Sequence, residues 1–530
     1  MSNEPAQPTN PAISKGARPG SGVASHAWLP WALLALVPWA IGAWSLRFTC
    51  DDAYISFRYA ANLAAGHGLV YNLGETPPVE GYSNFLWTLM SAGAIALRLD
   101  PVLVANVVSA ASAAALVLLV ARFASTRFGL NGPRCGAAAL FLGILPPIAC
   151  WSTGGLETMT FALAVFLVYE RIASGPAGPR GWQAGIAAAA AALLRADGAG
   201  WAFAALAVAW IDAGSRPEVR AAVTRAALIV AAAVCAQLAF RLAWHDEWIP
   251  NTARVKAGLS AMRVERGAKY VGMMLVAMPA LALTPILALL ATRGSVKCPR
   301  RVTLAATSFV LVALGYSVWA GGDFLPFARF LVPAMPFVGL AFAGLLARPA
   351  TWVNLSAAVL LVTAPLATLG LQAVPEALHF RWNGPRAIAE RVMWEGVKQR
   401  AIEWRSLGRA LRGKYPDGSI VLDAIGAVGY ESQLRVHDIF GLVSPEVARA
   451  NLPLVRASPG HDMSVDPEFF LPERPDIMGV KIDRKDSPIP AAWRDLVGTH
   501  RARVERFPIA PEEGFPPDPE LRVLRLVHDR

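Results

Sequence analysis

The sequence predicts a polytopic α-helical membrane protein that carries a soluble α/β domain at its carboxyl end. Hydrophobic residues make up 55% of the 530 residues and charged residues only 16%. This composition departs from that of soluble globular chains. Apolar stretches near the length that crosses a hydrocarbon core recur from Trp31 to about Gly370. After about Gln372 charges become frequent and no such stretch remains, so we expect the chain to leave the membrane there.

The amino-terminal segment has a composition of its own. The first 27 residues are rich in Pro, Ser, Gly and Ala and contain Lys15 and Arg18. Such a composition is typical of a disordered tail rather than of a compact signal peptide. We therefore expect a disordered cytoplasmic tail over residues 1–27, followed by an uncleaved membrane anchor.

The apolar stretches predict about eleven transmembrane helices between residues 28 and 373. Asn84–Arg98 is apolar but only about 15 residues long. We therefore expect a helix along the outer interface there, and not a crossing. The predicted spans lie at about 29–47, 101–121, 135–150, 155–173, 181–195, 198–213, 224–243, 270–291, 303–320, 329–346 and 351–372.

The orientation of these spans follows from lysines and arginines in short loops, because such residues are retained in the cytoplasm. With the amino terminus inside, basic clusters such as the one from Arg216 to Arg225 fall on the cytoplasmic side. Nearly all the acidic residues close to the membrane fall on the other side. We therefore predict a multi-pass protein of the bacterial inner (cytoplasmic) membrane, with a cytoplasmic amino terminus and a periplasmic C-terminal domain (residues 374–530).

The C-terminal domain shows the pattern of an α/β fold. A helical pattern covers about 385–412, Ser419–Leu422 reads as a buried strand, and Arg435–Ile439 reads as a second strand. Asp423 and Asp438 stand at the ends of these strands, where they could contact an acceptor or serve as turn residues.

Two functional classes are disfavoured by the sequence. It contains neither a P-loop nor the glycine fingerprint of dinucleotide-binding folds, which disfavours an ATP-driven or NAD-dependent protein. The net charge of +11 does not indicate nucleic-acid binding, because much of the excess lies in cytoplasmic loops that face anionic lipids.

The most informative segment follows the first span and reads DDAYISFRYAANLAAGHGLVYN at 51–72 and VEGYSNFLW at 79–87. Its beginning predicts an amphipathic helix on the membrane interface, with two carboxylates at its start. Carboxylates at that position can cap free amides, which explains one aspartate or both without any chemistry. Capping does not explain the loop that follows, which is rich in Gly, His, Tyr, Asn and Glu.

This segment resembles the first outer loop of the GT-C glycosyltransferases, membrane enzymes that take sugars from polyprenyl phosphates and carry an essential acidic residue or pair just after their first span. It is most similar to the branch that contains the mycobacterial terminal β-1,2-arabinofuranosyltransferase. Further matches follow in order over most of the chain: TGGLETMTFAL at 153–163, LLRADG at 193–198, WIPNTARVK at 248–256, GGDFLPFARFLVPAMP at 321–336 and VLDAIGAVGYES at 421–432.

The resemblance implies a GT-C fold, with a catalytic module over residues 28–373 that includes a first outer loop (residues 50–100). It implies an inverting glycosyltransferase whose donor is a sugar on a polyprenyl phosphate in the membrane lipid. Arabinofuranose is the sugar expected from the branch. The acceptor would be an envelope glycan, lipid or protein at the periplasmic face.

The chemistry of such a transfer fits the two adjacent aspartates. A carboxylate must remove the proton from the acceptor hydroxyl as its oxygen attacks the anomeric carbon. Asp51 and Asp52 are the candidate catalytic residues, and the sequence does not decide between them. A divalent cation held by the same two carboxylates is the only cofactor that the sequence suggests, and its use stays open.

The remaining candidates would bind substrate. The departing phosphate needs cationic donors, and carboxylates, amides and a tyrosine could bind sugar hydroxyls. Each has a structural alternative, because arginines near span ends also reach lipid headgroups and carboxylates also pair with arginines. The candidates are Arg58, His67, Glu80, Tyr82, Asn84, Glu157, Arg195, Asp197, Asn251, Lys256, Asp323 and Arg329.

Two other classes of protein remain as alternatives. A transporter or flippase of lipid-linked sugars would also be polytopic, but such proteins more often place ionisable residues midway along spans and show internal repeats. A scaffold subunit of an envelope assembly is the other alternative. The charges lie at the ends of the predicted spans, which favours the transferase.

Overall fold

The computed structural model describes residues 26–173, 178–214, 216–256, 260–292, 300–348, 350–371, 374–382, 384, 386, 388–450, 452–499, 501–509 and 515–527. The predicted tail over residues 1–27 lies outside the described residues, apart from His26 and Ala27, with which a short 3-10 helix begins.

Before the C-terminal domain, every regular secondary-structure element of the described chain is a helix. Short 3-10 helices at His26–Trp28, Arg329–Ala334 and Ala364–Leu369 adjoin α1, α15 and α16. The α-helices are α1 (Leu29–Ser45), α2 (Asp51–Ala64), α3 (Phe85–Ala96), α4 (Pro101–Phe128), α5 (Gly132–Gly143), α6 (Pro146–Trp151), α7 (Thr158–Ile172), α8 (Gly181–Leu194), α9 (Gly198–Ala213), α10 (Pro217–His245), α11 (Asn251–Lys256), α12 (Ala261–Ala277), α13 (Pro279–Ala291), α14 (Arg300–Trp319), α15 (Met335–Leu346) and α16 (Thr351–Thr363).

Several of these helices are long and apolar enough to cross a membrane, so the protein is a polytopic helical membrane protein. Among the described residues six helices meet that length and composition, and α12 with α13 makes a seventh if the bent pair is one span. The shorter apolar helices α3, α8 and α9 come in addition. The count of about eleven spans stays a prediction.

Two predicted spans are interrupted in the structure. The span expected at 270–291 is bent by 80° between α12 and α13, where Pro279 follows Met278. The span expected at 135–150 is divided between α5 and α6, and α6 begins at Pro146 and Pro147. Proline lacks the amide hydrogen that an uninterrupted helix requires, and it disfavours helical geometry in the residue before it.

The C-terminal domain is built on a five-stranded sheet with the order β2-β1-β3-β5-β4. β1 runs parallel to β2 and β3, and β5 runs antiparallel to β3 and β4. Both strands predicted from the sequence are present. The elements are α17 (Glu390–Arg412), β1 (Ser419–Leu422), α18 (Gly426–Ser432), β2 (Arg435–Asp438), α19 (Pro445–Arg449), β3 (Ile477–Arg484), α20 (Ala491–Gly498), β4 (Ala502–Pro508) and β5 (Pro519–Leu526).

The first outer loop and the C-terminal domain pack directly against each other. Helix α2 contacts α3 on one side and α18 on the other. Its residues Tyr54, Phe57 and Arg58 are therefore buried, whereas the sequence predicted an amphipathic helix lying on the interface. Asn72 exchanges two hydrogen bonds of 2.9 Å with the backbone of Val436. The C-terminal domain consequently lies on the same side of the membrane module as α2.

Close backbone approach at Gly426 provides a test of this packing. A Cβ atom at Gly426 would lie 2.1 Å from the carbonyl oxygen of Asp51. We expect Gly426→Ala to loosen the C-terminal domain, so that trypsin cleaves it faster and the thermal unfolding temperature in detergent falls. Gly413→Ala is the matched control, because its Cβ would have its nearest neighbour at 3.9 Å. Alanine favours helix over glycine, so equal stability of the two variants would contradict the tight packing.

Candidate active site

Asp51 and Asp52 are adjacent at the start of α2, but they face different surroundings. Asp51 accepts hydrogen bonds from the backbone amides of Gly426 (3.1 Å) and Ala427 (2.6 Å), at the amino end of α18. The Asp52 side chain is 46% exposed, and its nearest cation is Arg329, whose Nη1 lies 3.9 Å from Oδ2. The structure thus gives Asp51 a capping role across the domain contact and leaves Asp52 accessible.

Burial of Asp51 affects its acidity. Burial raises the pKa of this carboxyl from 3.8 to about 7, although the Ala427 amide lowers it. The negative charge of Asp52 raises the pKa further, and the Gly426 amide lowers it. The two aspartates therefore differ in their hydrogen-bond and charge partners.

Arg329 is held beside Asp52 by a second carboxylate. Its Nε and Nη2 donate to the two oxygens of Asp323 at 2.8 and 3.0 Å. Its guanidinium carbon lies 5.7 Å from the ring centroid of Trp151 and 5.4 Å from that of Phe330. This paired and stacked arrangement keeps the cation in one orientation.

The backbone on both sides of this ion pair is unusual. Gly321 and Gly322, just before Asp323, have φ values of 78° and 81°, which glycine adopts without strain. Phe327 and Ala328, just before Arg329, are also left-handed, with φ values of 52° and 51°. Such non-glycine conformations are strained and persist where the surroundings impose them.

A buried ion pair in the C-terminal domain supports the strained turn. The Phe327 amide donates to Oε2 of Glu390 at 2.6 Å. Glu390 is fully buried and lies 3.2 Å from Nη1 of Arg381. The turn that presents Arg329 is therefore anchored to the start of α17.

A second arginine extends the charged cluster. Arg195 donates to both oxygens of Asp197 at 2.8 and 3.0 Å, and its Nη1 lies 3.6 Å from Glu157. Glu157 in turn accepts a hydrogen bond of 2.9 Å from Asn84. The guanidinium of Arg195 is 5.5 Å from the Phe330 ring, the ring that Arg329 also contacts. Asp52, Asn84, Glu157, Arg195, Asp197, Asp323 and Arg329 thus belong to one charged cluster.

Lys256 and His461 lie beside this cluster. Burial lowers the pKa of His461, the charge of Lys256 lowers it further, and the charge of Asp52 raises it. The imidazole packs against Phe324 and Phe440, with ring centroids 5.4 and 4.7 Å away.

Sequence reasoning missed His461, together with Trp151 and Phe330. His461 lies in an irregular loop without periodicity or a matching motif, so nothing in the sequence pointed to it. Trp151 lies just before the motif at 153–163, and Phe330 lies inside the motif at 321–336. Their positions in the sequence could therefore have indicated that they belong to the site.

Besides Asp51 and Lys256, five predicted residues lie outside the cluster. Arg58 is buried and donates to the carbonyls of Tyr71, Gly429 and Leu434, which makes it part of the domain contact. Glu80 pairs with Arg241, and Tyr82 Oη lies 3.2 Å from His245 Nε2. Asn251 donates to the carbonyls of Gly441 and Leu442. His67 is exposed in a shallow depression next to Trp244.

The two aspartates at the ends of strands also have local roles. Asp438 is fully buried and accepts hydrogen bonds from the amides of Phe440, Leu442 and Val443. Burial raises its pKa to about 6. Asp423 is exposed and accepts from the amide of Ala424. Of the two roles that the sequence left open for Asp438, acceptor contact and turn residue, the structure shows the second.

A divalent cation would find few ligands at Asp52. In the part of the chain that the structure describes, no three His, Cys, Asp or Glu side chains are grouped so that they could hold a metal ion. The Asp51 oxygens already accept amide hydrogen bonds. A cation bound at Asp52 would take most of its oxygen ligands from substrate or water.

Two parts of the sequence are similar to known sequences. A domain of unknown function (DUF8728) matches residues 392–510. The terminal β-(1→2)-arabinofuranosyltransferase of Mycobacterium tuberculosis is 31% identical over 134 residues, which are 24% of this chain and 21% of that protein.

Two solved structures share the fold over almost the whole chain. ArnT from Cupriavidus metallidurans in the apo state has a TM-score of 0.55 at 14% identity and covers 94% of this chain and 97% of its own. The same protein bound to undecaprenyl phosphate has a TM-score of 0.54 at 15% identity and covers 94% and 98%. The predicted resemblance to the GT-C membrane glycosyltransferases is confirmed at the level of the fold.

The raised pKa of Asp51 predicts a dependence of stability on pH. A raised pKa means that the folded chain holds this proton more tightly than the unfolded chain. The contribution of Asp51 to the free energy of unfolding therefore falls as pH rises from about 4 to about 7. Asp51→Asn lacks this titration. We expect the thermal unfolding temperature of the wild type to decline relative to that of Asp51→Asn over this pH range. Other groups, such as Asp438, titrate in both proteins, so their effects cancel in the difference between the two unfolding temperatures. If that difference does not change with pH, the raised pKa of Asp51 is contradicted.

The anchor of the Arg329 turn predicts a large loss of stability. Arg381→Ala removes the cation from a buried ion pair, which typically costs about 3–5 kcal/mol. We expect a clear drop in the thermal unfolding temperature in detergent. Arg386→Ala is the matched control, because its ion pair with Glu376 is 79% and 70% exposed and contributes at most about 1 kcal/mol. Equal effects of the two substitutions would contradict the anchoring role.

Proposed function

We propose that this protein is an inverting glycosyltransferase that moves a sugar from a polyprenyl-phosphate donor to an acceptor hydroxyl. The observation that carries the proposal is the accessible carboxylate of Asp52, which faces Arg329 across 3.9 Å in a cluster of paired charges. The fold shared with ArnT, one of whose structures holds undecaprenyl phosphate, supports a donor of the polyprenyl-phosphate class.

Asp52 is the proposed catalytic base. Its exposed carboxylate takes the proton of the acceptor hydroxyl while the acceptor oxygen forms a bond to the anomeric carbon. The bond between that carbon and the phosphate oxygen breaks, and the lipid phosphate leaves with the electron pair. Attack opposite to the leaving phosphate inverts the anomeric configuration. Asp51, whose oxygens accept amide hydrogen bonds, instead holds the start of α2 in place.

Three cations are placed to stabilise the departing phosphate. Arg329 and Arg195 lie against the same phenylalanine ring, and each is fixed by a carboxylate, so neither needs to reorganise during the reaction. Lys256 is exposed and forms no ion pair with any described residue. Lys256 is therefore the cation most available to a newly bound phosphate.

The proposed site faces the periplasm. Basic clusters of the predicted cytoplasmic loops favour that orientation, and α2 and the C-terminal domain share one side because they contact each other. In this proposal residues 1–27 form the cytoplasmic tail, residues 28–373 the catalytic module, and residues 374–530 the periplasmic domain of an inner-membrane protein.

The sugar and the acceptor are narrower proposals. The match to the M. tuberculosis arabinofuranosyltransferase favours arabinofuranose as the transferred sugar, and it covers 21% of that protein. The acceptor class is an envelope glycan, lipid or protein. Like the sugar and the acceptor, a divalent cation at Asp52 is a proposal.

Separate substitution of the two aspartates tests the assignment of the base. We expect Asp52→Asn to lower kcat by roughly 10²-fold or more, because a positioned base contributes that much. Asp51→Asn keeps the length of the side chain and one acceptor oxygen, so most of its activity should survive. Transfer is measured as radiolabelled sugar passing from a synthetic polyprenyl-phosphate arabinofuranose to envelope glycan.

Binding of undecaprenyl phosphate and the thermal unfolding temperature serve as controls for folding. An inactive Asp51→Asn beside an active Asp52→Asn would exchange the two roles. Full activity of both variants would refute the proposed base, and movement of intact donor across vesicles without transfer would support a flippase instead.

A further inference from the structure

The first outer loop and the C-terminal domain enclose a cavity of about 430 Å³ whose lining includes neither Asp52 nor Arg329. Its walls come from residues 72–80, from residues 245–251 after α10, and from β2, α19 and the turns beside them. This volume lies within the usual range for sites that bind small ligands. The cavity therefore has the size of a binding site and lies outside the charged cluster.

The lining of the cavity mixes polar and apolar residues, and one of its buried polar atoms has no hydrogen-bond partner among the described residues. One carboxylate oxygen of Glu75 accepts a hydrogen bond of 2.7 Å from Asn72, whereas the other is buried without a hydrogen-bond partner. Within the described residues Arg435 and Glu446, which also line the cavity, form no ion pair. A ligand that fills the cavity would therefore lie against Glu75, one of whose oxygens lacks a partner, and against Arg435, whose guanidinium is free to donate.

The chemistry of the lining narrows the class of ligand. Carboxylates and guanidinium groups together match hydroxyl groups, which both donate and accept hydrogen bonds. The lining residues that the structure describes include two histidines but no Phe, Tyr or Trp, so recognition would rest on hydrogen bonds and not on ring stacking. These carboxylates are not grouped as metal ligands, which disfavours a bound cation.

One hydrogen-bonded loop contacts both the cavity and the surroundings of the charged cluster. The loop after β2 is held by Asp438, which accepts amide hydrogen bonds from Leu442 and Val443. Asn251 binds the same loop through the carbonyl of Leu442. Val443 lines the cavity. Phe440 of the same loop packs against His461, with ring centroids 4.7 Å apart, and His461 packs against Phe324, the residue after Asp323. The loop therefore contacts both the cavity and the neighbourhood of the charged cluster.

We propose that this cavity binds a polyhydroxylated glycan chain, at sugar residues next to the one that receives the new sugar. That this glycan is the acceptor of the transfer rests on the function proposed above, whereas glycan binding itself rests on the cavity alone. A chain whose end reaches Asp52 passes the loop after β2 and places its inner sugars against Glu75 and Arg435. The cavity then selects the acceptor, and the charged cluster performs the transfer.

Binding measurements on the purified full chain in detergent test this inference. Soluble oligosaccharides released from the envelope glycan of the host cell are titrated and followed by saturation-transfer NMR. We expect Glu75→Ala and Arg435→Ala each to weaken binding roughly tenfold or more, because each removes a charged hydrogen-bonding group. Glu395→Ala and Arg484→Ala are matched controls, because both side chains are exposed and distant from the lining, and they should bind like the wild type.

Kinetics separate this role from a general defect. In both cavity variants KM for the oligosaccharide acceptor should rise roughly tenfold, with kcat, the KM for donor and binding of undecaprenyl phosphate unchanged. If no donor supports transfer but the cavity variants still lose oligosaccharide binding, the proposed function fails and the glycan site stands. Oligosaccharide binding that is absent from the wild type, or equal in wild type and cavity variants, overturns the inference even if Asp52 proves to be the base.

Discussion

The contact between Asp51 and the start of α18 is the interaction on which the rest of the site depends. It joins α2 to the C-terminal domain, and Arg58 reinforces it with hydrogen bonds to Gly429 and Leu434. Successive residues of a helix point about 100° apart. Once Asp51 is directed at α18, its neighbour Asp52 must therefore point elsewhere, and it points towards Arg329. The domain contact thus creates the difference between two chemically identical side chains.

The charged cluster is held in place because each of its two arginines is paired with a carboxylate and both lie against the ring of Phe330. Asp323 and Asp197 each accept two hydrogen bonds, from Nε and Nη2 of Arg329 and of Arg195, respectively. Strained backbone at Phe327 and Ala328 presents Arg329. Charges held in this way stabilise a developing phosphate charge without reorganisation, which suits the proposed departure of a lipid phosphate.

Much of the membrane module was predictable, because the apolar stretches that cross a bilayer are local properties of the chain. The helix breaks at Met278 and before Pro146 were harder to predict, because a hydropathy pattern alone does not show whether a proline interrupts an apolar helix. Seven predicted residues, including Asn84, Glu157 and Asp323, meet in the cluster because loops at one end of a helical bundle converge. Arg58, Glu80 and Asn251 are predicted from neighbouring segments, but their side chains bind the C-terminal domain, Arg241 and the loop after β2, respectively. Their roles as substrate-binding residues stay predictions.

The sequence by itself determined that the protein is polytopic, that an α/β domain follows, and that the first outer loop carries the candidate chemistry. These properties follow from composition, periodicity and motifs, which are local. Only the tertiary structure decided that Asp51 caps a helix while Asp52 stays open, that His461 lies beside the cluster, and that a cavity lies against the loop after β2. Each of these depends on contacts between residues hundreds of positions apart, which no local pattern encodes.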